Sequence, residues 1–287
     1  MSHSDITITI DHPLTIDDHR SIEYGILLAM YLKSTVHLLH IIRLETLAGV
    51  NKPLSETDVE VGAVQQMQRR TKTRLEALRR KIEHMSKQQV PVEIHVAAGY
   101  RQHRLAEYLQ EWGQALTVIG REDLAGTWEP LWGNALSELV ARHETNLLVV
   151  PEEARFRPLR QVLYLFQGEV DEREDLQQLQ KLVAPFDGHI QLMGLVKKEA
   201  EKPKLAEYAA RLRHELGEQS PAAIYLEGDQ LAHKLKDHLS HHPAQLLAVH
   251  QRHQRLLSRL TQQDPVRAIA FDTDMPLLIF KEGKQAA

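Results

Sequence analysis

Cysteine is absent from the 287 residues, which removes disulfides, thiolate metal sites and a cysteine nucleophile at once. Long apolar runs are missing too. The longest, Ile26 to Leu32, falls far short of the ~18 residues a membrane-crossing helix needs. The opening Met1-Ser2-His3-Ser4-Asp5 has no basic stretch leading into an apolar one, so no membrane is implied and a cytoplasmic location is the expectation. Excess positive charge is also lacking. The formal net charge is −4, the wrong sign for a nucleic-acid footprint. The basic cluster from Arg69-Arg70 to Lys81 is interrupted by Glu76 and reads as a solvated helix face. Equally absent are G-x-G-x-x-G, a Walker loop, a G-x-S-x-G elbow and H-E-x-x-H, each of which would have carried a named chemistry.

What the chain does have is an internal repeat. Ala115-Leu116-Thr117-Val118-Ile119-Gly120 is a buried-strand run ending in glycine, followed by Gly133-Asn134 and the strand Asn146-Leu147-Leu148-Val149-Val150. Moved along by 130 residues the same order returns without a gap: Gln245-Leu246-Leu247-Ala248-Val249-His250, then Gln263-Asp264, then Pro276-Leu277-Leu278-Ile279-Phe280. A unit this long exceeds the ~20–50 residues of solenoid repeats and points to a duplicated domain. With 43% hydrophobic residues, the chain can form two domains, each with its own core. The boundaries read as 1–151 and 160–287, separated by a linker at Glu152–Leu159 that Pro151 and Pro158 bracket.

Strands alternate with helices through both units. Ile6 to Asp11 alternates like a strand with an acidic end, and Asp17-Asp18 opens a helix that runs to about Leu32. Val36 to Ile42 is a second strand. Apolar residues at Val61, Val64, Met67, Leu75, Leu78, Ile82 and Met85 fall three and four apart, which predicts one long amphipathic helix over 55–88. Strands at Val92–Ala98 and Leu116 follow, the first closed by Gly99. The second unit repeats the order with a shorter second helix: strand Val162–Phe166, helix 172–182, strand His189–Val196, helix 203–216, strand 222–226, helix 230–239 and the strand at Leu246. The fold class is therefore α/β, two tandem open parallel sheets of five strands with helices on both faces, Rossmann-like, the second copy shorter.

With these residues in place the chain resembles the universal stress protein family, and the likeness covers nearly all of it as a tandem pair. That family ends its first strand on an acidic residue, ends its second on a His-hydrophobic pair, and carries G-x2-G-x9-G-[S/T] after its fourth. Asp11 stands at the first place, His40-Ile41 at the second, and Gly120-x2-Asp123-x9-Gly133-Asn134 at the third. The resemblance implies an adenine-nucleotide site, for ATP or a related molecule. Asp11 and Ile41 would hold the adenosine, and Gly120, Asp123, Gly133 and Asn134 would lie along the phosphates. Glycines there let backbone N–H groups approach phosphate oxygens at a helix N-terminus. Asp123 instead brings a Cβ and a negative charge, and Leu136 stands where the family has a phosphate-side hydroxyl, so weak binding is the expectation. In the second copy Gln167 replaces the acidic residue, His250 and His253 the two first-loop glycines, and Gln263-Asp264 the Gly-Ser pair. That copy reads as structural or partner-binding.

Other readings of the same residues stay open. Asp11 can cap the helix after its strand, and Gly120 and Gly133 can be turn glycines without a ligand. Trp128 and Trp132 read as packing over the sheet edge, with stacking on a base or an apolar ligand as the alternative. Histidine is abundant at 17 residues, and His241-His242 with His250-x-x-His253 has a spacing that can hold a metal, but no cysteine completes a motif and no metal is assigned. The expected function is a non-catalytic stress-response protein. The two domains would pack as a pseudo-dimer through their last strands, with a homodimer of the chain as a further option. The rivals are a weak ATPase and a sensor of a non-nucleotide ligand in the same cleft.

Overall fold

In the computed structural model of the chain, the described residues are 6–10, 20–43, 61–99, 104, 107–108, 111, 116–120, 145–166, 168, 171–196, 199–217, 220–228, 231–250 and 274–281. The first unit runs β1 (Ile6–Ile10), α1 (Arg20–Leu32), β2 (Val36–Arg43), α2 (Val61–Met85), β3 (Val92–Gly99), β4 (Leu116–Gly120) and β5 (Asn146–Val150). The second runs β6 (Gln161–Phe166), α3 (Arg173–Val183), β7 (His189–Val196), α4 (Lys202–Leu216), β8 (Ile224–Glu227), α5 (Leu231–His241), β9 (Leu246–His250) and β10 (Leu277–Phe280). The second copy is the shorter one, its α4 having 15 residues against 25 in α2.

Hydrogen bonding orders the strands β3-β2-β1-β4-β5-β10-β9-β6-β7-β8. Each half is parallel throughout and has the same internal order, with its fifth strand at the centre of the whole. There β5 and β10 pair antiparallel, Leu277 with Val149, Leu278 with Leu148 and Ile279 with Leu147. The five-stranded halves thus form one ten-stranded sheet, and positions 130 residues apart take like places in it. Gly120 lies opposite Val150 in the first half, and His250 lies opposite Phe280 in the second.

One consequence departs from the expectation of two separate cores. Because side chains alternate across a strand, a continuous sheet sorts the core by face and not by half. Ile8, Leu38, Val118, Leu148, Tyr164, Leu192, Ala248 and Leu278 share one cluster with α1, α2, α3 and α4. Leu39, Ile41, Ile119, Leu147, Leu163, Met193, Val249 and Ile279 share the other with Leu235 of α5 and Tyr108. Both clusters cross the junction.

The segment read as a linker is part of this packing. Ala154 and Leu159 are buried, and Phe156 meets Tyr24 of α1 edge-on at 5.1 Å, with Tyr31 at 5.7 Å and Phe186 of the second half at 6.1 Å. Asn146 adds a polar tie, donating to Gln178 of α3 at 2.5 Å and accepting from the Lys281 backbone N–H at 3.1 Å. The long helix α2 buries Leu75, Leu78 and Ile82 but leaves Met67 and Met85 exposed, so its apolar stripe is longer than the surface it covers.

Candidate functional site

In each half the strand order reverses direction at the first strand, which has the second strand on one side and the fourth on the other. Open α/β sheets bind ligands outside the carboxyl ends of the strands at this switch point. In the first half that place is bounded by the ends of β1, β2 and β4. Ile41 lies near the end of β2, buried on the face it shares with Leu39 and Ile119. Gly120 is the last residue of β4, buried and paired with Val150. These two expected residues therefore sit on the strands that flank β1, at the same edge. Asp11, Asp123, Gly133 and Asn134 lie outside the described residues, as do Trp128, Trp132, Gln167, His253, Gln263 and Asp264.

The second half is different in kind at this position. His250 takes the place of Gly120 and turns its ring toward α3, with Nδ1 donating to Asp175 Oδ2 at 2.8 Å. The Tyr164 hydroxyl donates to the same oxygen at 2.9 Å. Register again relates the halves: Tyr164 pairs with Ala248 as Ile8 pairs with Val118, so a hydrophobic residue and a glycine have been exchanged for a tyrosine and a histidine about one carboxylate. All three side chains are buried. Burial, reinforced by the nearby Glu172 and Asp175 carboxylates, pushes the Tyr164 hydroxyl well above its ordinary value and keeps it a donor. A buried, hydrogen-bonded network thus occupies this position in the second half, where the first half has a glycine.

The histidines considered for metal binding are divided by the sheet. His241, the last residue of α5, and His242 after it line an exterior cleft of about 450 Å³ with Tyr225, Glu227, Lys234 and His238. Leu235 of that helix packs on the Leu163 and Val249 face, whereas His250 bonds to Asp175 on the helix covering the opposite face. His238 is held below the ordinary histidine range, first by partial burial and then by His242, whose ring lies 4.8 Å away.

A cluster that the spacing of histidines along the chain did not reveal lies at the other end of the first half. His37 on β2 and Glu93 and His95 on β3 converge on one face. His37 Nδ1 and His95 Nε2 are 3.3 Å apart, and Glu93 Oε2 lies 3.5 Å from the first and 3.7 Å from the second. Glu93-x-His95 has the two-residue spacing that puts both side chains on one strand face. Only the register of β2 against β3, His37 opposite Glu93, adds the third.

Comparison with solved structures returns the same architecture. A universal stress protein from Archaeoglobus fulgidus matches over 97% of this chain and 97% of its own, with a TM-score of 0.67 and 14% identity. A putative universal stress protein from Pseudomonas aeruginosa covers 98% of this chain and 94% of its own at a TM-score of 0.59 and 12% identity. The cytoplasmic domain of a prokaryotic cation chloride cotransporter covers 98% and 97% at a TM-score of 0.51 and 8% identity. No family model matches the sequence, and no curated protein does. At these identities the likeness is one of fold, and a fold does not carry its function with it.

Proposed function

From the premise of a tandem universal-stress-protein fold, we propose that the chain is a non-catalytic, cytoplasmic stress-response protein with a single nucleotide cleft. That cleft is the one in the first half, and it takes an adenine nucleoside or nucleotide weakly. The observation carrying this is the asymmetry of the two switch points. Gly120 ends β4 without a side chain, whereas its register equivalent His250 is bonded to Asp175 at 2.8 Å and buried. Ile41 and Gly120 supply the described part of the cleft, and Asp11, Gly133 and Asn134 are assigned to it from the sequence motif. Asp123 sets the weakness, because a carboxylate about 4 Å from a phosphate repels it by roughly 1–4 kcal/mol, depending on the local dielectric.

Calorimetry with ATP and with adenosine, on the wild-type chain and on Asp123→Gly, tests this. ATP binding should tighten in the variant by up to about 1–4 kcal/mol, while adenosine, which has no phosphate, should bind both proteins alike. Failure of the wild type to bind either ligand would refute the nucleotide reading. ATP turnover by the purified chain would replace the non-catalytic reading with the weak ATPase. The last strands β5 and β10 are already paired within the chain, so a homodimer would form through another surface.

A further inference from the structure

We propose that His37, Glu93 and His95 form a binding site for a zinc-like divalent cation at the outer edge of the first half. The argument begins with the separations. Zinc bound at 2.0–2.1 Å by nitrogen and slightly further by carboxylate oxygen, with tetrahedral angles, places neighbouring ligand atoms about 3.3–3.4 Å apart. The three ligand atoms here are separated by 3.3, 3.5 and 3.7 Å. In the ion-free chain the two imidazoles share a hydrogen bond at 3.3 Å, which accounts for one of the three separations and not for the other two. The two carboxylate contacts lie beyond the usual ~2.7–3.2 Å for N–H···O bonds, and yet the carboxylate oxygen is nearly equidistant from both imidazoles.

The donors also select the metal. Two imidazoles and one carboxylate suit zinc, while magnesium and calcium favour all-oxygen shells. The absence of cysteine leaves this mixed nitrogen and oxygen set as the chemistry the chain can offer. Three protein ligands leave a fourth position for water or another group.

The strands hold the ligands in place. His37 pairs directly with Glu93, and Leu39 with His95, in an eight-residue parallel ladder, so the backbone positions from which the three side chains project are fixed before any ion arrives. His37 is buried, His95 partly so, and the Glu93 side chain is 59% exposed, which leaves an entry path from solvent. At about 3.3 Å per strand residue, His37 and Ile41 lie roughly 13 Å apart along β2. The cation site is therefore distinct from the nucleotide cleft and stands or falls independently of it.

The test uses the full chain, stripped with chelator and titrated with zinc chloride, with bound zinc counted by atomic spectrometry after gel filtration. One zinc per chain is expected, together with a rise in melting temperature, because the ion joins β3 to β2 in the folded state only. His95→Ala and Glu93→Gln, at side chains that are at least partly exposed, should each weaken binding by at least about tenfold. His241→Ala with His242→Ala should leave it unchanged. Cobalt(II) in place of zinc should give the intense visible bands of a tetrahedral complex. No bound zinc in the wild type, or zinc retained at full affinity by His95→Ala, would overturn the assignment.

Discussion

At the scale of single residues, the second half shows how a ligand position becomes a structural one. Tyr164 and His250 both donate to Asp175 Oδ2 in a buried setting, and a buried hydrogen bond to a charged acceptor contributes about 1.5–3 kcal/mol. Tyr164→Phe should therefore lower the free energy of unfolding by about 1.5–3 kcal/mol in urea titrations. No loss of stability in Tyr164→Phe would mean that the hydroxyl gives the buried network no strength.

Among the elements, α1 and α2 are both amphipathic helices but face their glycines differently. Gly25 of α1 lies against β1 and β4, where an added Cβ would come within 2.6 Å of Ile8 Cδ1 and 3.6 Å of Val118 Cγ2. Ile8 is fully buried, so its terminal methyl has little room to move. Gly62 of α2 has nothing within 4 Å of the same position. Alanine gains about 0.8–1.0 kcal/mol over glycine in a helix interior, and overpacking a core costs about 1–3 kcal/mol. Thermal melts of Gly25→Ala should thus show a loss of stability, while Gly62→Ala, near the helix start, should be neutral or gain up to the propensity difference. A stabilised Gly25→Ala would show that Ile8 repacks freely and that α1 is not pressed onto the sheet.

For the whole molecule, the antiparallel β5–β10 pair decides whether there are two folding units or one. Leu148 and Leu278 face each other across it, and the clusters on both faces extend into both halves. The three tryptophans, Trp112, Trp128 and Trp132, all belong to the first half of the sequence, so their fluorescence reports that half while far-UV circular dichroism reports both. The two urea transitions should coincide, as cooperative unfolding requires. Leu278→Ala, deep in the second half of the sequence, should shift the tryptophan transition as well, by the ~2–5 kcal/mol typical of emptying a buried leucine position. A tryptophan transition unmoved by Leu278→Ala would separate the halves.

The sequence by itself determined the elements and their order. A strand buried on both faces must be written as an uninterrupted apolar run, and a helix on a sheet as apolar residues three and four apart, so Leu246–His250 and the Leu75, Leu78 and Ile82 stripe were legible from local pattern alone. The 130-residue shift between Gly120 and His250 was equally legible, because register along a chain is a property of the chain. Tertiary structure decided what those residues meet. That the two halves would share their cores across the β5–β10 pair, and that the 152–159 segment would pack among aromatic rings, depended on surfaces brought together only in the fold. The same holds for the chemistry. His250 acquires its role from Asp175, 75 residues away, and His37 acquires its neighbours from a strand more than fifty residues on, distances at which sequence spacing bears no relation to spacing in space.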